Sequence, residues 1–413
     1  MVDHQRTFFY QAGCGCTSAM VTLNRLSVED PCDGSALLPE AAEVATPTPV
    51  YHKHGGVIKN NSWDFFLSRS ENLAFSLVLL IGSYLVILIP AYFPSDKAAS
   101  LSNDYQHPKD LVLLNQSASL LSGPCQPRWC LNHLKPLSCS VGLLDIPVFV
   151  QQDRPVPWDR SPPLGLQGSE EPLALALASL PQPGLPPSLR REGSCRRCIV
   201  VGSGGVLHGS HLGSHIDQYD IIIRLNNAPV RGFERDTGSR TTIRLIYPEG
   251  APRSPNEYKK TTMVVLAVFK SLDLDWLTSV ITKQPLSFWS KMWFWKEVVE
   301  DIPLKPEHFR ILHPDIIHKT GQALKDKKYA QKHGNMVPTL GASAVVMALQ
   351  LCDHVSLAGF GYDMQHPEAR LHYYETIRMD AMKAQVVHDV SAEKLFLRDL
   401  VAAGAVTDLT GAL

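Results

Sequence analysis

A glycine-rich turn is the first feature of this sequence whose residue types suit the binding of a phosphate or a nucleotide. An apolar run at residues 199–201 leads directly into Gly202, Gly204 and Gly205. A buried parallel strand that ends in a backbone turn has this pattern, and glycine lets such a turn approach a ligand closely. A second apolar run follows at residues 221–223, so the sequence predicts a β-helix-β unit.

The turn also matches part of a dinucleotide-binding fingerprint. Gly202 and Gly204 have the required spacing, but Leu207 stands where the third glycine is expected. Each glycine of the full fingerprint has its own role, so a partial match is a weak signal. A nucleotide-dependent oxidoreductase is therefore an alternative that this mismatch disfavours.

Two histidines and one acidic pair could carry acid–base or metal chemistry. His372 lies in the sequence LHYYE and His388 in VHDVSAEK. Histidine exchanges a proton near neutral pH, although a lone histidine usually has no such role. Asp273 and Asp275 have the D-x-D spacing by which many sugar-nucleotide transferases hold a divalent metal. The alternative is that the two aspartates begin a helix after a strand.

The length and charge of the chain limit its function. Its 413 residues are enough for two or three regions, and 45% hydrophobic content is enough for a packed core. Lysine and arginine together number 39, against 40 aspartates and glutamates. The chain therefore lacks the overall positive charge of a nucleic-acid-binding protein.

An uncharged apolar stretch at residues 73–93 predicts a transmembrane helix. A cleaved signal peptide would have a shorter apolar core nearer the N-terminus, and a buried core helix is the other alternative. Lys53, Lys59 and Arg69 precede the stretch, whereas residues 95–105 after it contain Lys97 as their only lysine or arginine. This asymmetry favours a cytosolic N-terminus and a lumenal remainder.

Composition and pattern divide the chain into four regions. Proline-rich segments indicate a stem. After the stem, the sequence changes to short apolar runs and helical patterns. We therefore predict a disordered cytosolic tail at 1–72, a signal anchor at 73–93, a lumenal stem partly packed on the next domain at 94–194, and a folded domain at 195–413.

The folded domain has the pattern of an α/β protein. Apolar runs at 263–269, 309–314 and 354–361 predict buried strands, and small apolar residues at 341–352 predict a helix that begins near Thr339. Alternation of strands and helices predicts a central, mostly parallel sheet flanked by helices.

The lumenal orientation bears on the cysteines and on glycosylation. Cys195 and Cys198 have the spacing of zinc ligands, but no second closely spaced Cys or His pair accompanies them. In an oxidising lumen the cysteines after the span can form disulfides instead. Asn115 begins an N-x-S sequon on the same side of the membrane, so we expect it to be glycosylated.

Four segments of the sequence resemble, in order, the four motifs of the animal sialyltransferases. The large motif resembles residues 198–249 and the small motif resembles 338–360. The third motif resembles HYYE at 372–375, and the very small motif, H-x-x-x-x-E, resembles 388–393. A membrane span followed by a stem is also the type II Golgi layout of this family. The chain is therefore identified as a member.

The resemblance implies a subgroup, a fold and a reaction. RLNNAPVRGFE and YPEGA resemble the β-galactoside α-2,3-sialyltransferases, and residues 288–312 resemble the branch that acts on lactosylceramide. The implied fold is a single catalytic domain of the GT-A-like sialyltransferase variant. The implied donor is CMP-sialic acid, transferred with inversion and without a metal ion or cofactor. The implied acceptor ends in galactose, on a glycolipid or alternatively on a glycoprotein.

The resemblance also implies roles for individual residues. His388 would be the general base that deprotonates the 3-hydroxyl of galactose, and His372 would hydrogen-bond the CMP phosphate as it leaves. Ser203 stands where asparagine is common in the family, which puts its donor contact in doubt. The further contacts implied for CMP-sialic acid are Gly204, Asn226, Tyr247, Thr339, Gly341 and Gly361.

The family pattern further implies disulfides and a location. It pairs Cys198 with Cys352 and Cys195 with an upstream cysteine, for which Cys125 is the best match, and leaves Cys130 and Cys139 open. The expected location is the Golgi membrane, with the catalytic domain in the lumen. The sequence does not determine the oligomeric state, although a homodimer is among the expectations. A membrane-anchored lectin without turnover is a second alternative, which the two intact histidines disfavour.

Overall fold

The structure is a computed structural model of the full chain. It describes residues 108–137, 142–181, 184–186, 189, 195–326, 328–329, 337–362, 365–384 and 387–413. The predicted tail and the predicted span at 73–93 lie outside these residues. Among the described helices, none combines the length and the apolar character needed to cross a membrane.

A seven-stranded sheet is the centre of the described fold, and its strands follow the order β5-β4-β3-β2-β1-β6-β7. All six neighbouring pairs are parallel. The α/β prediction is therefore confirmed. The strands are β1 Arg197–Val201, β2 Ile221–Leu225, β3 Thr241–Ile246, β4 Thr261–Leu266, β5 Phe309–Ile311, β6 His354–Ala358 and β7 Thr407–Asp408.

Helices cover both faces of the sheet, which explains the continuous apolar character of its strands. Every residue of β2 and β3 is buried, as expected for a parallel sheet between two helical layers. The α-helices are α1 Pro108–Ser122, α2 Trp129–Leu134, α3 Glu170–Ala178, α4 Gly213–Ile216, α5 Glu234–Thr237, α6 Leu272–Thr282, α7 Phe288–Lys291, α8 Pro314–Leu324, α9 Leu340–Leu351 and α10 Val390–Ala402, with 3₁₀ turns at Gly205–Leu207, Pro248–Gly250, Pro255–Tyr258, Pro306–His308 and Met379–Ala384.

The strand order creates a crevice at one edge of the sheet. The chain moves outward from β1 to β5, then returns through α8 and α9 to place β6 on the other side of β1. Connections therefore diverge from the boundary between β1 and β6. In open parallel sheets, ligands bind outside the carboxyl ends of the strands at such a switch point. The fold therefore predicts a ligand-binding site at the turns that follow β1 and β6.

Residues that we assigned to the stem form part of the folded unit. This unit runs from Gln106 to Leu413. Phe149 makes an antiparallel bridge to Leu312, which covers the outer side of β5, and Leu173 of α3 is buried in the cluster around α6. An uncovered edge strand would expose unpaired backbone groups, so this segment completes the sheet. We predicted a stem that packs partly on the next domain, and the boundary at residue 195 stays a prediction.

Both disulfides implied by the family resemblance are present, Cys125–Cys195 and Cys198–Cys352. Cys195 and Cys198 therefore belong to different disulfides, and their thiolates do not form a zinc-binding pair. Cys130 is a buried free cysteine, and burial raises the pKa of its thiol to about 12. Cys139 lies outside the described residues.

Loss of the Cys198–Cys352 disulfide should strongly destabilise the protein. The two cysteines are 154 residues apart, and closing a loop of that size constrains the unfolded chain by about 5 kcal/mol in the entropy model. We expect the double variant Cys198→Ala/Cys352→Ala to unfold at a much lower temperature in a thermal melt. Cys130→Ala, which keeps both disulfides, is the control. An equal melting temperature in the two variants would contradict the prediction.

Candidate active site

The turn after β1 is clamped between two other segments of backbone. The Gly204 amide donates to the Gly359 carbonyl at 2.9 Å, which ties this turn to the turn after β6. On its other side, the Tyr373 amide donates to the Ser203 carbonyl at 3.0 Å. The large, small and third sequence motifs therefore meet at the switch point of the sheet.

The glycines of this turn are required for that close packing. A Cβ atom at Gly204 would lie 2.7 Å from the Gly359 carbonyl oxygen, and one at Gly205 would lie 2.2 Å from the Arg370 carbonyl oxygen. Real Cβ contacts are longer than this, so side chains are excluded here. We expected these glycines to admit a ligand. In the structure, their nearest neighbours are protein backbone.

His372 is oriented by two contacts. Its Nδ1 hydrogen-bonds the Glu375 carboxylate, and its ring stacks on that of Tyr374 with 5.4 Å between centroids. The backbone of His372 also bridges Gly204. A carboxylate on one ring nitrogen fixes the ring orientation and leaves the other nitrogen to define the chemistry. The structure thus places His372 beside the glycine turn.

Ser203 differs from its family counterpart and has its own partner. The Ser203 side chain hydrogen-bonds the Tyr374 hydroxyl, while burial raises the pKa of Tyr374 well above its usual range. Tyr374 therefore remains neutral at any ordinary pH. The structure gives Ser203 a structural contact with the segment that carries His372.

Asn226 carries a buried polar atom that lacks a partner. Its Oδ1 is buried without a hydrogen bond, although its carbonyl accepts one at 2.8 Å from Arg244. Asn226 follows β2 in the left-handed region, with φ of 46°. A Cβ atom at Gly250 would lie 2.6 Å from the same Oδ1. Unpaired buried acceptors are uncommon in proteins, so this oxygen fits a hydrogen bond from a ligand.

Thr339 begins α9 and is held there by Glu393. The Thr339 hydroxyl accepts a hydrogen bond from the Ala342 amide at 3.1 Å, which caps the helix. Its amide and hydroxyl both donate to the Glu393 carboxylate, each at 2.6 Å. Burial raises the pKa of Glu393 to about 7. The acidic residue of the very small motif therefore positions the start of the small-motif helix.

His388 is attached to the same helix start. Its Nδ1 lies 2.7 Å from the Val337 carbonyl oxygen, two residues before Thr339. A carbonyl only accepts, so Nδ1 carries the proton and Nε2 is the basic nitrogen of the neutral ring. Burial lowers the pKa of His388, although the hydrogen bond to Val337 opposes this shift. The imidazole is therefore neutral at pH 7, the form that a general base requires.

Three other predicted donor contacts lie at the carboxyl edge of the sheet. Tyr247 follows β3, and burial raises its pKa to about 12. Gly361 follows β6 with φ of 91°, and a Cβ atom there would lie 2.3 Å from the Ala412 carbonyl oxygen. Gly341 lies in the first turn of α9, where a Cβ atom would lie 3.3 Å from the Phe360 ring. Gly361 thus accommodates the C-terminal segment of the chain.

The D-x-D pair belongs to helix α6. One Asp273 oxygen accepts hydrogen bonds from the Phe269 and Lys270 amides, at 2.7 and 3.1 Å, and the other pairs with the Lys270 ammonium at 3.1 Å. Asp273 is fully buried, which raises its pKa to about 6. Residues two apart on a helix point to different faces, so Asp275 does not converge with it. Asp273 therefore serves the start of the helix.

Sequence reasoning named the two histidines but missed the roles of two nearby acidic residues. Glu375 lies three residues after His372 and hydrogen-bonds it, whereas Glu393 lies five residues after His388 and holds Thr339. That spacing is a usable signal, because a carboxylate close to a functional histidine commonly orients it or its surroundings. Val337 leaves no such signal, since it contributes only its carbonyl oxygen.

The fold is that of a known class of enzyme. The structure is similar to a crystal structure of a mammalian sialyltransferase, with a TM-score of 0.54 and 27% identity over 70% of this chain and 99% of that one. A second such structure, in complex with Gal-beta-1-3GalNAc-ortho-nitrophenol, gives a TM-score of 0.53.

The sequence comparisons assign the family. Residues 149–405 match the model of glycosyltransferase family 29 (sialyltransferase). Human lactosylceramide alpha-2,3-sialyltransferase is 38% identical over 81% of this chain and 82% of its own length. Human CMP-N-acetylneuraminate-beta-1,4-galactoside alpha-2,3-sialyltransferase is 38% identical over 87% of this chain and 95% of its length. The chain belongs to the sialyltransferases of glycosyltransferase family 29.

Removal of the Glu393 side chain should loosen the start of α9. Glu393→Ala leaves the partly buried amide and hydroxyl of Thr339 without their carboxylate acceptor, which we expect to lower the free energy of unfolding by about 1–3 kcal/mol. Glu393→Gln keeps an acceptor oxygen for the amide and should lose less. Denaturant unfolding at fixed pH measures both variants, and equal losses would contradict the assignment.

Ionisation of Glu393 should also make stability depend on pH. Its folded pKa of about 7 lies above the ordinary value of 4.5, so the folded state binds its proton more tightly than the unfolded state. The resulting stabilisation is complete below pH 4.5 and is lost as the pH rises through 7. Relative to Glu393→Gln, the wild-type protein should therefore lose stability between about pH 5 and 8 in urea unfolding.

Proposed function

We propose that this chain transfers sialic acid from CMP-sialic acid to the 3-hydroxyl of a terminal β-galactose, with lactosylceramide as the acceptor. The observation that carries the proposal is the 38% identity with human lactosylceramide alpha-2,3-sialyltransferase over 346 residues. The family match at residues 149–405 includes both His372 and His388. A galactose on a glycoprotein is the second candidate acceptor, because the beta-1,4-galactoside alpha-2,3-sialyltransferase is equally identical over 375 residues.

His388 is the proposed general base. With Nδ1–H donated to the Val337 carbonyl, Nε2 accepts the proton of the galactose 3-hydroxyl as its oxygen attacks the anomeric carbon of sialic acid. The new glycosidic bond forms while the bond to the phosphate breaks, and CMP leaves with that electron pair. Attack opposite to the leaving group inverts the anomeric centre. Proton transfer to a well-placed base contributes about 10²–10⁴ to the rate.

The departing phosphate needs hydrogen-bond donors. We propose that His372, oriented by Glu375, hydrogen-bonds the phosphate. The amino end of the twelve-residue α9 lies at Thr339 and Leu340. A helix amino terminus attracts anions through its exposed amides and its dipole. These groups would stabilise the negative charge of the phosphate and of the sialic acid carboxylate. In the proposed reaction they do so in place of a metal ion.

The proposed location is the lumenal side of the Golgi membrane, with a type II anchor. Two disulfides suit an oxidising compartment. Asn115 is exposed on α1 and is therefore accessible to a glycosyl group. A lumenal stem and a membrane anchor at 73–93 complete this proposal.

Activity assays on the purified full chain test the reaction and the acceptor together. We expect transfer from CMP-sialic acid to lactosylceramide that exceeds transfer to a desialylated glycoprotein and persists in EDTA. Failure with every galactose-terminated acceptor would overturn the enzyme proposal and favour a lectin. A preference for the glycoprotein would reassign the acceptor, and loss of activity in EDTA would refute metal independence.

Replacement of His388 should abolish turnover while CMP binding persists. His388→Ala removes the base, and we expect kcat to fall by about 10²–10⁴. His308→Ala is a matched control, because His308 also has its Nδ1 2.7 Å from a backbone carbonyl oxygen but precedes β5 at the opposite edge of the sheet. Near-normal kcat in His388→Ala would exclude it as the base.

The pH profile should report the lowered pKa of His388. Only the neutral ring accepts a proton, and burial holds its pKa below 6.5. Activity should therefore persist as the pH falls to 6.5 and decline below it. The acid limb of kcat/KM measures this pKa in the free enzyme. The acid limb should remain in Glu393→Gln, which removes the Glu393 carboxyl as a second titrating group near pH 7. A midpoint of the acid limb above pH 6.5 would contradict the assignment to His388.

A further inference from the structure

A cluster of large apolar side chains is exposed between residues 288 and 295. Phe288, Trp289, Met292, Trp293 and Trp295 are 63–79% exposed. We call these five residues the aromatic rim. Of the eleven large hydrophobic side chains exposed in the described part of the chain, five belong to it. Single exposed apolar residues are normal, but a concentrated patch marks an interaction surface.

The aromatic rim lies beside the candidate active site. Phe294, within the same segment, is buried, and the Lys270 ammonium lies 4.5 Å from its ring centroid. Lys270 pairs at 2.7 Å with Glu249, in the turn after β3 that begins at Tyr247. A second link joins Arg253 and Glu297 at 3.2 Å. The rim is therefore anchored to the carboxyl edge of the sheet.

The charges around the rim do not form a basic patch. Residues 287–301 contain two lysines and three acidic residues. Lys291 pairs with Glu300 at 2.6 Å, and Lys283 pairs with Asp301. Attraction to a polyanion would need unbalanced positive charge. Tryptophan next to balanced charge is instead typical of the boundary between lipid and water, where the ring has an apolar body and a polar edge.

The anchor proposed at 73–93 would also keep this unit close to a membrane. The described part begins at Pro108, and the predicted span ends at residue 93. The fourteen residues between them can extend over at most about 50 Å. With the proposed anchor in a bilayer, an exposed tryptophan cluster on this unit would therefore be within reach of the lipid.

We propose that the aromatic rim inserts into the interface of a lipid bilayer and so holds the active site at the surface from which a glycolipid acceptor is taken. Only the part concerning the acceptor rests on the proposed function. The lipid contact itself rests on the exposure, the residue types and the balanced charge of the rim. Its apolar character makes insertion independent of anionic lipid.

Fluorescence in vesicles tests the lipid contact directly. The full chain is reconstituted into phosphatidylcholine vesicles with or without brominated acyl chains, and quenching of tryptophan is measured. Trp293→Ser/Trp295→Ser should lose most of the quenching that bromine causes, at low and at high salt. Trp158→Ser is the matched control, since Trp158 is 43% exposed outside the rim, and should be unchanged. Phe288→Ser/Met292→Ser is a second variant that leaves all tryptophans in place and should weaken the quenching.

Kinetics test the consequence for the acceptor. For Trp293→Ser/Trp295→Ser, kcat/KM on lactosylceramide in vesicles should fall at least about tenfold. The value on a soluble lactoside should be unchanged, because the reacting groups are intact. The aromatic variant Trp293→Phe/Trp295→Phe should retain most activity on both acceptors, as should Trp158→Ser.

Two results would overturn the proposal. The first is equal bromine quenching in the wild type and in both rim variants. The second is conversion of a dimer to a monomer in Trp293→Ser/Trp295→Ser with unchanged quenching, which would assign the rim to contact between two copies. If the wild-type chain sialylates no acceptor, the proposed function fails, and quenching still decides the lipid contact.

Discussion

The backbone contact between the ends of β1 and β6 is the constraint on which the candidate site depends. The Gly204 amide donates a hydrogen bond to the Gly359 carbonyl. This close approach leaves no room for a side chain at Gly202 or Gly204 in the turn after β1. The Cys198–Cys352 disulfide joins the same two strands at their amino ends. Two strands that are far apart in sequence are thus fixed at both ends, and the segment carrying His372 then packs on the turn that they form.

Much of the fold could be predicted because its strands are continuous apolar runs. The small-motif helix was expected at 341–352 after Thr339, and the structure has Thr339 as the N-cap of Leu340–Leu351. Partial packing of the stem was expected, but the particular contacts of residues 142–181 could not be predicted, because proline-rich sequence gives no signal for pairing with distant strands, such as the bridge from Phe149 to Leu312. A two-residue strand such as Thr407–Asp408 leaves no periodicity to recognise.

The sequence named candidate site residues, and the structure adds the contacts that hold them. The family resemblance supplied His372 and His388, whereas the contacts that orient them follow from burial and geometry. Glycines expected to admit a ligand pack against backbone, and Asp273, with a spacing that suits a metal ligand, is buried at a helix start. In both cases the neighbours of the residue, which the sequence does not show, decided its structural role.

Three titratable groups at the carboxyl edge of the sheet have pKa values shifted towards their neutral forms. Burial lowers the pKa of His388, and it raises that of Glu393 to about 7 and that of Asp273 to about 6. His388 and Glu393 both contact the start of α9. Their pKa shifts therefore indicate a poorly hydrated environment there, in which the charged form of either group is destabilised. A protonated Glu393 adds no negative charge to a helix terminus that attracts anions. The same burial that keeps the His388 imidazole neutral therefore also preserves this terminus for an anionic donor.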